Sequence, residues 1–344
     1  MAEINLEYDT ETPVMVTGAT GYVAGWLVKR LLEEGFTVHA AVRDPSKKEK
    51  VQHLNEMAEA SEGEIKFFKA DLLKDGSYAD AMEGCSVVFH TASPFQSRVK
   101  DPQKDLVDPA VKGTENVLNS VKKTKSVKRV VLTSSVAAIY GVPEDIAKAP
   151  NETLTEDVWN TSSSLEVTPY NYSKTLAEKA AWKIAKGQKS WDLVVINPAL
   201  VFGPGTAKTQ TSESFNVIKS MVSGRMADGA PNMRLGAVDV RDVAEAHFRA
   251  AFIEKAEGRH ITFAQSCSFL DIADMLRETY GKDWPLPQVE VPGDIVEWRA
   301  DNSKSQEKLG ILYGGVGLAV NDMVAQMLKE GAIEKAKPKA KKKA

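Results

Sequence analysis

Val14-Met15-Val16-Thr17-Gly18-Ala19-Thr20-Gly21-Tyr22-Val23-Ala24-Gly25 reads as a strand, a glycine turn and the start of a helix. Pro13 to Thr17 is a short apolar run of strand character. From Gly21 on, Val23, Trp26, Leu27, Leu31 and Leu32 recur at helical spacing, and Gly35 stands where a helix C-cap would. Glycines between a strand and a helix make a phosphate cradle. Gly18 permits the tight turn. Gly21 lets the backbone approach a pyrophosphate, whose charge suits the free N–H groups and positive dipole end of the helix. The spacing is Gly-x-x-Gly-x-x-Ala-Gly, not Gly-x-Gly-x-x-Gly, so Ala24 or Gly25 is assigned the close helix–strand contact.

The next strand, Phe36 to Val42, ends at Arg43. An NAD site would place a carboxylate near this strand end for the ribose 2′-hydroxyl. Here Arg43 is followed by Lys47, Lys48 and Lys50, and a guanidinium can stack on adenine and pair with a 2′-phosphate. NADP is favoured. Asp44 is the counter-signal, and the alternative for Lys47 to Lys50 is a solvated charged loop.

Strands and helices alternate through the first half. Ile65 to Phe68 is a third strand leading to Ala70-Asp71-Leu72. Ser86 to His90 is a fourth, ended by Thr91-Ala92-Ser93-Pro94. Asp108 to Val121 reads as a helix and Val127 to Thr133 as a fifth strand. Such alternation predicts an α/β fold, a doubly wound parallel sheet with helices on both faces. Ligands then bind at the carboxyl ends of the strands. Gly18, Asp71, Thr91-Ala92-Ser93 and Ser134-Ser135 all fall there. Residues 147–169 read as a long polar loop, Tyr170 to Lys186 as a helix, and Asp192 to Asn197 as a sixth strand stopped by Pro198. Later helices are expected over Ser214 to Val222, Val243 to Phe252 and Ser268 to Tyr280. The domain reading is a dinucleotide-binding unit at 12–197 with a soft boundary, a smaller α+β substrate unit at 198–330, and a lysine-rich tail at 331–344.

Tyr170 and Lys174 stand four residues apart, which puts both on one helix face. A tyrosine hydroxyl with a pKa of about 10 is a poor acid-base group near neutrality. A neighbouring ammonium favours the phenolate. Ser135 ends the fifth strand and can hydrogen-bond a substrate carbonyl. Ser134 would face the other way along the strand, and Tyr172 points to another side of the helix. Hydride from a nicotinamide and a proton from Tyr170 would together reduce a carbonyl.

Composition is that of a globular chain: 344 residues, 43% hydrophobic and 26% charged. Net charge is −3, but the last ten residues carry six lysines, leaving −9 on the rest. So acidic a body excludes a general nucleic-acid binder. No run of 18 apolar residues and no apolar leader is present, two cysteines imply no disulfide framework, and the expected compartment is the cytoplasm. Five histidines lack zinc spacing, so no metal site is read. Neither a Gly-x-Ser-x-Gly elbow nor a Gly-x-x-x-x-Gly-Lys-Ser/Thr loop occurs.

Several stretches together resemble a known family. They include Val16-Thr-Gly-Ala-Thr-Gly-Tyr-Val23, Ala41-Val-Arg-Asp-Pro45, Phe89-His-Thr-Ala-Ser-Pro94 and Leu132-Thr-Ser-Ser-Val136. Tyr170-Asn-Tyr-Ser-Lys-Thr-Leu-Ala-Glu-Lys179 and Asn197-Pro-Ala-Leu-Val-Phe-Gly-Pro204 belong with them. The chain resembles the extended short-chain dehydrogenase/reductases, in the branch of dihydroflavonol reductase, cinnamoyl-CoA reductase and yeast-type aldehyde (methylglyoxal) reductase, over residues 12–325. The resemblance implies NADP(H) as cofactor and Ser135, Tyr170 and Lys174 as the catalytic set. It implies Arg43 and Lys50 at the 2′-phosphate, Asp71 and Leu72 at adenine, and Pro198, Ala199, Leu200 and Val201 at the nicotinamide. The rest of the expected cofactor-binding set is Thr17, Gly18, Thr20, Gly21, Tyr22, Val23, Thr91, Ala92, Ser93, Thr133 and Ser134, with Tyr170 and Lys174 shared. The expected activity is NADPH-dependent reduction of an aldehyde or ketone, in a monomer or homodimer whose partner is a small carbonyl substrate. The alternatives are an NAD-dependent nucleotide-sugar epimerase or dehydratase and a hydroxysteroid dehydrogenase.

Overall fold

The chain forms strands β1 (Val14–Thr17), β2 (Thr37–Val42), β3 (Glu64–Lys69), β4 (Val87–His90), β5 (Arg129–Thr133), β6 (Asp192–Pro198), β7 (Leu200–Phe202), β8 (Arg234–Asp239), β9 (Gly258–Thr262) and β10 (Gln265–Ser268). This computed structural model describes residues 5–93, 99–208, 210, 212–293, 295 and 297–334. Pro94 and the lysine run 335–344, both read above, lie outside the described residues. Seven strands make the larger sheet in the order β3-β2-β1-β4-β5-β6-β9, every neighbour parallel. The order reverses between β1 and β4, and such a reversal opens a crevice at the strands' carboxyl ends. A second sheet, β10-β8-β7, stands apart.

Period-two patterning explains why both sheet faces are covered. Val14 and Val16 of β1, Val131 of β5 and Val194 and Ile196 of β6 join one core. That core packs on α1 (Tyr22–Glu33) and on the aromatic group Phe36, Phe248 and Phe252. Met15, Val130, Leu132 and Val195 join the opposite core. There they meet Val117, Leu118 and Val121 of the helix over Asp108–Lys123 and Ala181 of the helix over Pro169–Lys186.

Several elements differ from the sequence reading. Lys47 to Lys50 is no loop: α2 (Lys48–Glu59) begins there, and only Val51 and Leu54 of its twelve residues are buried. So thin an apolar stripe gives little periodic signal. The helix over Asp108–Lys123 is α4, after a short α3 (Ala79–Met82), and a π-helical turn at Gln103–Val107 leads into it. The polar stretch before Tyr170 contains the end of α5 (Glu144–Lys148) and a 3-10 turn at Pro150–Glu152, and Leu154 bridges to Ala300. The helix over Pro169–Lys186 is α6. Past Pro198, the chain makes β7, α7 (Glu213–Val222) and β8, then α8 (Val240–Phe252), and returns to the large sheet as β9. α9 (Phe269–Tyr280), α10 (Ser303–Leu309) and α11 (Val316–Lys329) follow among the described residues. Phe202, Phe215, Met221, Leu235, Leu276 and Met323 fill the core around the small sheet. Among the described residues no helix is long and apolar enough to cross a membrane.

Candidate active site

The crevice begins at the end of β1. Gly18 has φ +61°, and a Cβ there would stand 3.1 Å from the Ala92 Cα. Only glycine meets both demands without strain. Thr17 stitches β1 to β4. Its hydroxyl oxygen accepts the Thr91 and Ala92 N–H groups at 3.0 and 2.9 Å. The same hydroxyl lies 3.0 Å from His90 Nδ1 and, having accepted twice, donates there. His90 therefore carries its proton on Nε2. Burial, and then the Lys174 charge, push the His90 pKa down to about 3, so the ring is neutral.

At the start of α1 no side chain caps Gly21 and no acid stands in the first turn. A missing cap costs about 1 kcal/mol. Leu27, Val28, Leu31 and Leu32, all buried, offset it at roughly 1.5–3 kcal/mol each. The helix holds by its buried face, and its first N–H groups stay free for an anion. The Tyr22 side chain does not face that anion site. Its hydroxyl donates to the Gly203 carbonyl at 2.7 Å and its ring packs edge-on against Phe215. Gly25 does not serve a helix–strand contact either. A Cβ there would meet Thr206, in the loop after β7, while Ala24 is packed in the core.

At the end of β2 Arg43 is exposed. Among the described residues Arg43, Lys47, Lys48 and Lys50 form no ion pair. The Asp44 carboxylate is engaged by its own loop. It accepts the Ser46 hydroxyl at 2.6 Å and the Ser46 N–H at 3.1 Å, and these bonds hold its pKa below the ordinary range. Unpaired cations beside a committed carboxylate fit a phosphate better than a bare ribose diol. Beyond β3, Asp71 accepts the Leu73 N–H at 2.9 Å, and Leu72 lies against α4 at Gly113, where any Cβ would collide with it. Asn116 of α4 fixes this loop by donating to the carbonyls of Leu72 and Lys74 and accepting the Gly76 N–H. Ala199 donates to the Thr262 carbonyl at 3.0 Å, which sets the start of β7 and so places Leu200 and Val201.

Above this floor stands α6. Thr168, just before it, is left-handed at φ 46°, a strained state for a β-branched residue. Tyr170 and Lys174 follow one turn apart. Half of the Tyr170 side chain is exposed, at 49%. The surrounding protein pushes its hydroxyl pKa up, a hydrogen bond with the Ser135 hydroxyl pulls it back, and the Glu213 carboxylate adds a smaller push. Cleft water reaching so exposed a side chain moderates the first effect. Lys174 is only 8% exposed. Burial pushes its pKa down to about 8, against an upward pull from Glu178. Its ammonium donates to the Thr133 carbonyl at 3.4 Å.

The two serines divide as strand alternation requires. Ser134 is buried and donates to Glu178 Oε2 at 2.5 Å. Ser135 accepts the Ala137 N–H at 3.1 Å, which leaves its own proton free to donate into the cleft. The Thr133 hydroxyl turns away to His247 Nε2 at 2.7 Å. The other His247 nitrogen donates to the Val243 carbonyl. His90, Thr114, Thr133, Lys174 and Glu178 help line a space of about 10 Å³ behind Lys174, room for one water.

Sequence reasoning missed Glu178, Asn197 and Arg259. Glu178 is 1% exposed and pairs with Arg259 Nε at 2.7 Å. The signal was available only for Glu178, which repeats the four-residue step from Tyr170 through Lys174.

A doubly wound parallel sheet, a glycine cradle at its first turn and a Ser–Tyr–Lys group at its carboxyl edge define the short-chain dehydrogenase/reductase class. Residues 14–262 match the NAD dependent epimerase/dehydratase family, and the chain belongs to it. It is 40% identical to the cinnamoyl-CoA reductase CAD2 of Medicago truncatula, covering 92% of this chain and 95% of that protein. It is 36% identical to the anthocyanidin reductase of Arabidopsis thaliana, covering 91% and 92%. It superposes on the yeast methylglyoxal/isovaleraldehyde reductase Gre2 complexed with NADPH with a TM-score of 0.81 at 30% identity, over 93% of this chain and all of that one.

Proposed function

We propose that this protein reduces an aldehyde or ketone to an alcohol with NADPH, using Tyr170 as proton donor. The observation that carries the reading is the placing of Ser135, Tyr170 and the buried Lys174 at the carboxyl edge of the sheet, with Tyr170 and Lys174 one turn apart on α6 and the Ser135 hydroxyl close enough to lower the Tyr170 pKa. The relatives named above as reductases, one complexed with NADPH, support it.

The uncapped N–H groups at the start of α1 would hold the pyrophosphate of NADPH, and the nicotinamide would supply the hydride. Ser135, its oxygen already engaged by Ala137, donates to the substrate carbonyl and holds it beside Tyr170. Tyr170 gives its proton to the carbonyl oxygen as negative charge develops there. Lys174 stabilises the resulting phenolate through its positive charge. Substrate would be covered by the chain past residue 198, with β7 and the start of α7 nearest the reacting carbon.

Arg43 and Lys50 would hold the 2′-phosphate. Charge-assisted bonds of this kind contribute about 1.5–3 kcal/mol. Arg43→Ala should therefore weaken NADPH binding roughly ten- to hundredfold while leaving NADH affinity unchanged, as read by quenching of protein fluorescence. Equal weakening of both cofactors would place the 2′-phosphate elsewhere. The reduction itself is tested by turnover of Tyr170→Phe, taken up below.

A further inference from the structure

We propose that Glu178 is a positioning residue for the reduction: its buried carboxylate is the counter-charge of Lys174 and, through Asn197, it fixes the backbone of Ser135. The inference rests on the proton-transfer reading above and extends it to a residue that touches neither substrate nor cofactor.

Glu178 follows Lys174 by one turn of α6 and binds three strands. At β5, Ser134 donates to its Oε2 at 2.5 Å. At β6, Asn197 donates to the same oxygen at 2.8 Å. At β9, Arg259 pairs with Oε1 at 2.7 Å. Asn197 also donates to the Ser135 carbonyl at 3.1 Å, so one amide joins Glu178 to the carbonyl-binding serine. Arg259 is held from behind. Its guanidinium lies 4.0 Å over the Trp159 ring and donates to the carbonyls of Glu156, Val158 and Ala138.

A purely structural ion pair would be silent toward the lysine. This one is not, because Glu178 lines the same small space as Lys174, and its charge raises the lysine's proton affinity. The other titratable groups around Lys174 do not do this. His90 on β4 is neutral, and His247 on α8 is buried, with a pKa pushed down to about 4. Tyr170 is uncharged in its donating form. α4 presents only Ala110 and Thr114 to the space behind the lysine. Arg259 is taken up by Glu178 Oε1 and by the carbonyls of Glu156, Val158 and Ala138. With burial working against the ammonium, Glu178 is the group that opposes its loss.

The test is a titration of the Lys174 ammonium in the cofactor-free full chain, followed by the ¹³Cε resonance of labelled lysine and assigned by its loss in Lys174→Met. Wild type should titrate near 8. Glu178→Gln keeps the shape and can still accept from Ser134 and Asn197, yet removes the charge. The midpoint should fall by at least about one pH unit, and the alkaline limb of kcat/KM should fall with it. Glu178→Gln leaves Arg259 buried without its partner, which strains the fold. The double variant Glu178→Gln/Arg259→Met removes both charges and should show a fall in the same direction, smaller because the unpaired Arg259 cation no longer opposes the ammonium. A folded variant with an unmoved Lys174 midpoint, whatever its Tm, overturns the proposal. Failure of the underlying reading looks different: Tyr170→Phe would then remain active while the Lys174 titration still responded to Glu178.

Discussion

Tyr170→Phe should lower carbonyl turnover by about a thousandfold or more and leave NADPH affinity within a few-fold of wild type. A positioned general acid contributes roughly 10²–10⁴ in rate, and nothing else in the cleft can replace this one. Ser135 is an alcohol with no basic partner, and Lys174 is turned onto the Thr133 carbonyl. The variant removes one oxygen and keeps the ring. The residue as a whole is half exposed, so melting temperature should change by only a few degrees. Selective loss of kcat with the cofactor still bound is the signature of a group used in the chemical step. A loss confined to KM would mark Tyr170 as a binding residue.

Lys174→Met should abolish activity as fully and make the protein more stable. In the unfolded chain this lysine titrates at its ordinary value of 10.5, and in the folded chain burial brings that down to about 8. Below pH 8 the ammonium is charged in both states, and the folded state bears the full desolvation penalty, on the order of 3 kcal/mol. Between about 8 and 10.5 the unfolded state binds more protons, so this penalty fades as pH rises. Methionine has similar length and no charge, and it gives up one long hydrogen bond, 3.4 Å, to Thr133. A net gain of roughly 1–3 kcal/mol, some degrees in Tm, is expected near neutral pH and should shrink in alkaline buffer. A less stable variant would mean that Lys174 contributes to the fold rather than burdens it.

The features legible in the sequence are the local ones. The cradle, the alternation through β5 and the Tyr170/Lys174 step depend on spacings of a few residues, and those spacings fix geometry within one turn or one strand. The separation of Ser134 from Ser135 followed from strand alternation alone. Features set by distant partners were not legible. The four-residue step puts Glu178 on the face of Tyr170 and Lys174, but its partners Asn197 and Arg259 lie 19 and 81 residues away and no local spacing joins them to it. β9 joins the large sheet some sixty residues after β6, across an interval that makes the small sheet. Nothing in its five residues declares that choice. Tyr22 and Gly25 lie inside the cradle motif, yet both are committed to the loop after β7, at Gly203 and Thr206. α2 was hidden because so little of it is buried, and charged residues on an exposed helix resemble those of a loop.

The most direct measurement is cofactor consumption by the purified full chain against aldehydes, α-dicarbonyls, ketones and flavanonols, with NADPH and NADH compared side by side. The account predicts loss of NADPH, with little or none of NADH, matched one for one by alcohol formed from at least one class. Consumption of neither cofactor, with NAD released from the protein on denaturation, would contradict it and indicate a cofactor recycled within each turnover.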